Sequence, residues 1–181
     1  MARNVEVKAR TNDPLSLIGR AQTLATAGPF NLEHVDTFFD CPGGRLKLRD
    51  FVNGKGELLF YRRANDAGPK ESFYLRHETS APAELRDILT QAYGAIGEVS
   101  KHRTVFLIGR TRVHIDDVAR LGHFVELEVA LADGEPAEAG RREVEELMHK
   151  LGISSKELIR AAYMDLIADL AVQPTNRSSA A

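Results

Sequence analysis

Between residues 4 and 131 the chain alternates apolar and polar positions with a period of two, interrupted and followed by stretches of helical spacing. Residues 4–10, NVEVKAR, put Val5, Val7 and Ala9 on one side and Asn4, Glu6, Lys8 and Arg10 on the other, which predicts a strand. Asp13 and Pro14 then supply a cap and a first-turn proline for a helix in which Leu15, Ile18 and Leu24 recur until Gly28-Pro29 ends it. Strands are expected over 34–40 and again from Arg45 (RLKLRDFV), joined through the turn Cys41-Pro42-Gly43-Gly44. Asn53-Gly54-Lys55-Gly56 is a hairpin signal before ELLFYRR, and 71–78 is a further strand. Residues 82–93 carry Leu85, Ile88 and Leu89 on one helical face, and strands follow over roughly 99–108, 110–116 and 123–131. Helices are expected over 136–151, stopped by Gly152, and from Ser154 to Leu170. Residues 1–171 read as one domain, and the small, polar tail over 172–181 is expected to fray.

The charged residues are sorted by strand. Arg45, Lys47 and Arg49 alternate with Leu46 and Leu48, and Glu57, Tyr61 and Arg63 alternate with Leu58 and Phe60. Lys101 and Arg103 precede a strand on which Arg110, Arg112, His114 and Asp116 share a face, and Glu126 and Glu128 alternate with Val125, Leu127 and Val129. Taken one strand at a time, this describes any antiparallel sheet with its apolar face on helices and its ionic face in water. A protein-interaction domain with a solvated ionic face fits that description. Jointly the faces are not mixed at random: two carry almost only cations and one carries paired carboxylates. About six to eight short strands tend to close or stack rather than lie flat. If they close with the helices outside, the ionic faces line a lumen.

Such a lumen is costly without a ligand, because like charges repel and an unpaired buried ion is expensive. A polyanion with a bound divalent metal is its complement: Arg and Lys clamp phosphate oxygens, and paired Glu hold Mg²⁺ or Mn²⁺. That chemistry suits phosphoryl or nucleotidyl transfer, where positioning and charge neutralisation supply most of the catalysis.

Composition narrows the alternatives. The chain has 181 residues, 28% of them charged, with a net charge of −2, which argues against general nucleic-acid binding. Cys41 is the sole cysteine, so neither an intrachain disulfide nor a cysteine zinc site can form. The N-terminal residues run into the first alternating segment without an apolar leader, and no stretch approaches the ~20 apolar residues of a membrane span. A cytoplasmic protein is expected. Gly54-Lys55-Gly56 lacks the frame of a phosphate-binding P-loop, and the histidines share no metal-ligand spacing; His114, beside Asp116 on an ionic face, is weighed as a base or ligand against a hydrogen bond within the wall.

The order and spacing of several pieces resemble the CYTH, or triphosphate tunnel, family, in particular its bacterial class IV adenylyl-cyclase-like members. NVEVK resembles the E-x-E-x-K signature; DTFFDCPGGRLKLRD, YRRANDAGPKESFY, KHRTVFLIGRTRVHIDDVARLGHFVELEV and AAYMDLI resemble later stretches, so the likeness spans nearly the whole chain. The resemblance implies an α+β fold, a closed eight-stranded antiparallel β-barrel with helices packed outside. It also implies a triphosphate substrate in the tunnel (a nucleotide, thiamine triphosphate or inorganic tripolyphosphate) with Mg²⁺ or Mn²⁺. The family's activities include triphosphatases and adenylyl cyclase. A triphosphatase is the leading expectation here, with a class IV cyclase or a non-catalytic polyphosphate-binding module as alternatives, and a homodimer is compatible with it.

Carried over by motif, Glu6, Glu126 and Glu128 would hold metal, and Lys8 would contact phosphate and support catalysis. Asp116 would position metal or water, while Arg45, Lys47, Lys101, Arg103 and Arg112 would bind phosphate. Arg63 would add a further cation, with Arg62 competing for that role until the register is known. One departure stands out: Asn4 replaces the first glutamate of the signature, so one metal position loses a negative charge.

Overall fold

The computed structural model describes residues 2–64, 66 and 68–172. Eight strands, β1 (Ala2–Arg10), β2 (Ala27–Phe39), β3 (Arg45–Phe51), β4 (Gly56–Arg63), β5 (Lys70–Thr79), β6 (Ala95–Ile108), β7 (Thr111–Val118) and β8 (Gly122–Ala130), close into a barrel in the order β1-β5-β4-β3-β2-β6-β7-β8, every pair antiparallel. Four helices lie outside: α1 (Pro14–Leu24), α2 (Pro82–Tyr93), α3 (Ala137–Leu151) and α4 (Tyr163–Val172). The α+β barrel expected from the sequence is the fold.

The period of two decides which side chains meet the helices. Val5, Val7 and Ala9 of β1, Val113 and Ile115 of β7, and Val125, Leu127 and Val129 of β8 point outward and form one apolar core with Leu17 and Ala21 of α1 and Val144, Leu147 and Leu151 of α3. Phe39, Leu46 and Leu48 make a second core with Leu89 of α2. A third core has a different character. Phe38, Val99, Val118 and Phe124 sit in the inward register of their strands and pack on Tyr163 and Ile167, so α4 lies against inward-facing side chains. None of these helices is long and apolar enough to cross a membrane, among the described residues.

Two sequence expectations are corrected. The first helix ends at Leu24 rather than at Gly28-Pro29, which instead lies inside β2. Gly28 has φ +105, and a Cβ there would sit 2.7 Å from the Val105 carbonyl, so a glycine lets β2 press against β6 where their register shifts. The second C-terminal helix does not start at Ser154. Ser154 and Glu157 form a reciprocal cap around a short 3₁₀ turn, Ser155–Glu157; Leu158 then bridges Ala9, and Ile159 N–H donates to the Lys8 carbonyl at 2.9 Å. Pairing with the end of β1 takes these residues out of helix, and α4 begins at Tyr163. The expected tail over 172–181 lies outside the described residues apart from Val172, the last residue of α4.

Candidate functional site in the barrel lumen

Closure turns the ionic faces inward. On β1, Asn4, Glu6 and Lys8 point into the lumen; Glu6 is opposite Glu128 of β8 and Lys70 of β5, and Lys8 is opposite Glu126. On β7 and β8, Arg112 pairs with Glu128, His114 with Glu126 and Asp116 with Phe124. Lys101 and Arg103 of β6 meet Val118 and Asp116. From β2 and β3 come Asp36, Lys47 and Arg49, with Asp36 and Arg49 in register.

Two hubs organise these charges. Asp116 accepts both arms of the Arg103 fork at 2.6 Å and the Tyr163 hydroxyl at 2.9 Å, with Lys101 Nζ 3.9 Å away. Arg103 also donates to Glu126 at 2.7 Å, and Lys8 Nζ lies 2.7 Å from the other oxygen of that carboxylate. Asp36 gathers Lys47 at 2.8 Å, Arg49 at 2.9 Å and Lys101 at 3.4 Å. Around them Arg112 grips Glu128 at 2.8 Å and Arg63 grips Glu6. Lys8 and Lys101 stand 3.6 and 4.7 Å from the centroid of the Tyr163 ring, so α4 contributes both a hydroxyl and an aromatic face to this centre.

Burial and neighbours set the protonation states. Burial raises the Asp116 carboxyl, but Arg103 and then Lys101 outweigh it and hold it down to about 2. Asp36 is likewise held well below the ordinary range by Arg49, Lys47 and Lys101 against its burial. Burial, with Arg103 and Lys47 adding to it, lowers Lys101 to about 7. Burial and Arg63 lower Lys70 to about 8, and burial lifts the Tyr61 hydroxyl to about 12. Burial, then Arg103, lowers His114 and leaves a neutral imidazole at pH 7.

The candidates from sequence are distributed unevenly. Lys8, Lys101, Arg103, Asp116 and Glu126 form one connected network, with Lys47 joined to it through Asp36 and Lys101. Arg112 and Glu128 form a pair beside it. Glu6 does not join Glu126 and Glu128; it is held by Arg63. Of the two neighbours Arg63 is the one that faces the lumen, since Arg62 is exposed and donates to the Gly43 carbonyl. Arg45 is peripheral, tied by two hydrogen bonds to Asp165 of α4. Sequence reasoning missed Asp36, Lys70 and Tyr163. Asp36 shares a face with His34 and Phe38, so no charge pattern marks it, and Tyr163 enters the lumen from a helix.

The donor set fits a divalent cation. Donor atoms of His114, Glu126 and Glu128 lie within 4.8 Å of one another, and two buried polar atoms of this wall, Asn4 Oδ1 and His114 Nδ1, have no hydrogen-bond partner. Anionic oxygens at the centre of a cationic wall can hold Mg²⁺ or Mn²⁺ while the surrounding guanidiniums and amines take phosphate oxygens.

The sequence profile of the CYTH domain matches residues 2–163. Adenylate cyclase CyaB of Aeromonas hydrophila is 26% identical over 138 residues, 72% of this chain and 70% of that protein. A protein of Pyrococcus horikoshii has the same fold, with a TM-score of 0.80 at 22% identity over 90% of this chain and 98% of its own. A candidate adenylyl cyclase of Hippeastrum, described with a dominant triphosphatase activity, superposes with a TM-score of 0.66 at 15% identity over 96% of this chain and 98% of its own. The profile runs from β1, through every lumen strand, to the tyrosine that opens α4, and the chain belongs to the CYTH-domain family.

Proposed function

We propose that the protein is a metal-dependent phosphohydrolase that takes a triphosphate into the barrel lumen and releases orthophosphate from it. The observation that carries this reading is the surplus of lumen cations. Lys8, Lys47, Arg49, Arg63, Lys70, Lys101, Arg103 and Arg112 face Glu6, Asp36, Glu57, Asp116, Glu126 and Glu128. A triphosphate would supply the missing negative charge.

Each group has a task set by its position. Lys8 and Arg103 share Glu126, so they are presented beside the carboxylates that would hold metal and could contact the phosphate oxygens of a bound substrate. Lys47, Arg49 and Lys101 converge on Asp36 and form a second cationic cradle, joined to the first through Lys101, which also lies 3.9 Å from Asp116. Asp116 keeps Arg103 and Tyr163 oriented and stays ionised. Lys101, lowered to about 7, is the amine able to hold or release a proton at Nζ at neutral pH. Glu126 and Glu128, with Glu6 nearby, are the residues we assign to Mg²⁺ or Mn²⁺. When bound, such an ion polarises phosphoryl oxygens and neutralises charge as the bond to the leaving group breaks.

The Hippeastrum relative with a dominant triphosphatase activity supports hydrolysis, and the name of the Aeromonas relative supports the second reading, conversion of ATP to cyclic AMP. One incubation separates them. With tripolyphosphate and ATP as substrates and Mg²⁺ or Mn²⁺ present, orthophosphate identifies a hydrolase. Pyrophosphate with cyclic AMP identifies a cyclase, and binding without turnover identifies a module. Absence of binding to either compound would sink all three.

A further inference from the structure

His114 occupies an unusual position in this wall. It stands opposite Glu126 on the β7–β8 pair, is buried to 5% exposure, and its Nδ1 has no hydrogen-bond partner. That nitrogen faces two carboxylates, 3.8 Å from Glu126 Oε2 and 3.7 Å from Glu128 Oε1. Both distances are too long for a hydrogen bond, and an unpaired buried nitrogen costs free energy. The lumen carboxylates around it each have a lysine or arginine within about 3 Å, so those ion pairs are made without the imidazole.

One species repairs the arrangement. A cation between the three donors would give Nδ1 a partner and draw the carboxylates inward by a fraction of an ångström, since donors about 2.1 Å from one ion lie no more than about 4.2 Å apart. Each carboxylate oxygen has more than one lone pair, so Lys8, Arg103 and Arg112 can keep their contacts while the ion takes its own.

We infer that His114 Nδ1 is a direct ligand of the lumen metal, with Glu126 and Glu128, and that this nitrogen makes the site select a later first-row transition ion such as Zn²⁺ over Mg²⁺. The inference rests on the metal-dependent reading above. Its physical basis is donor chemistry: Mg²⁺ prefers an all-oxygen octahedral shell and retains its waters, whereas imidazole suits the ions later in the transition series. Asn4 acts in the same direction, because a neutral oxygen in place of a carboxylate weakens the hard-ion side of the site.

The test uses Mn²⁺ as a spectroscopic probe, so it does not depend on turnover. Pulsed electron paramagnetic resonance of the wild-type protein with substoichiometric Mn²⁺ should show nitrogen coupling that changes when the histidines carry ¹⁵N. Calorimetric titration with Zn²⁺ and Mg²⁺ should show the preference for Zn²⁺ falling by about tenfold or more in His114→Asp, a loss at least as large as that from removing an outer-shell partner. Far-ultraviolet circular dichroism and melting check that the variant folds, and the wild-type spectrum stands if it does not. If Mn²⁺ binds and Glu126→Gln abolishes that binding, yet no nitrogen coupling appears, the assignment of His114 is overturned and the metal reading survives. If the wild-type protein binds none of these ions, with or without tripolyphosphate, both fall.

Discussion

Arg49 reaches across the β2–β3 pair to Asp36, with Nε 2.9 Å from one carboxylate oxygen and Nη2 3.3 Å from the other. Lys47 and Lys101 converge on the same carboxylate, so one buried anion holds three cations in place. Asp36→Asn strips the counter-ion from all three, and breaking a buried pair in this way costs about 3–5 kcal/mol. Urea unfolding should show a loss of that order, and tripolyphosphate should recover more stability in the variant than in the parent. An unchanged midpoint would mean that the three cations do not depend on Asp36.

Ligand binding is readable as heat resistance. A ligand that binds only the folded protein, at a hundred times its dissociation constant, adds about 2.7 kcal/mol. Millimolar tripolyphosphate with Mg²⁺ or Mn²⁺ should therefore raise the melting temperature by several degrees beyond a control matched in ionic strength. A melt that does not move would remove the basis for a polyphosphate-binding lumen.

Binding should take up a proton. Burial, with Arg103, lowers Lys101 to about 7 from an ordinary 10.5, and a phosphate at Nζ reverses that shift. Above pH 7 the free amine is largely neutral and the bound amine is charged, so affinity falls as pH rises from 7 towards 10. The same depression means that between about 7 and 10.5 the unfolded chain binds more protons than the folded one, so the ligand-free protein gains stability as pH rises across that window. Calorimetry at pH 8 in buffers of different ionisation enthalpy should report uptake, reduced in Lys101→Met, with a remainder from Lys70, which is held at about 8. Zero uptake in the parent would refute the assignment.

Glu126→Gln is expected to abolish metal-dependent activity and also to destabilise the ligand-free protein. From sequence alone, two neighbouring glutamates suggest repulsion that neutralisation would relieve. The structure reverses that sign, because Lys8 and Arg103 both lie 2.7 Å from Glu126 and would lose their partner. Chemical denaturation of the metal-free variant should show a loss of roughly 3 kcal/mol. A gain would mean that repulsion outweighs the two ion pairs.

Asn4→Glu probes the departure in the first strand. Asn4 is 4% exposed with its Oδ1 unpartnered, on the same face as Glu6. A carboxylate there should lower the melting temperature without metal and tighten Mg²⁺ binding when metal is present. Unchanged affinity would place residue 4 outside the metal site.

The fold was legible wherever local pattern decides structure. Val5, Val7 and Ala9 against Glu6 and Lys8, or Leu46 and Leu48 against Lys47 and Arg49, fix inside and outside by parity alone, and Asn53-Gly54-Lys55-Gly56 marks the hairpin between β3 and β4. What failed depended on distant partners. Leu158 and Ile159 have helical spacing, yet the free end of β1 draws them into extended pairing. Within the site, the types of charged residue could be read but their pairing could not. Asp36 becomes a hub because β3 and β6 lie on either side of β2, a matter of sheet order that no window of sequence contains. Tyr163 reaches Asp116 across 47 residues, and its only sequence signal was the AAYMDLI likeness.

Because each lumen carboxylate is already matched by a cation, the proposed binding of a polyanion would work as ion exchange rather than as the filling of an empty cup. A guest must replace several internal partners at once, and the return grows with the charge it delivers per unit length. A monophosphate or a chloride frees one cation and leaves the remaining pairs intact, so it has little to offer in exchange. On the proposed reading, a triphosphate would engage both the Asp36 and the Glu126 groups together, and only then would the trade become favourable. Discrimination by chain length can therefore arise from cooperative displacement, without any wall that measures the guest.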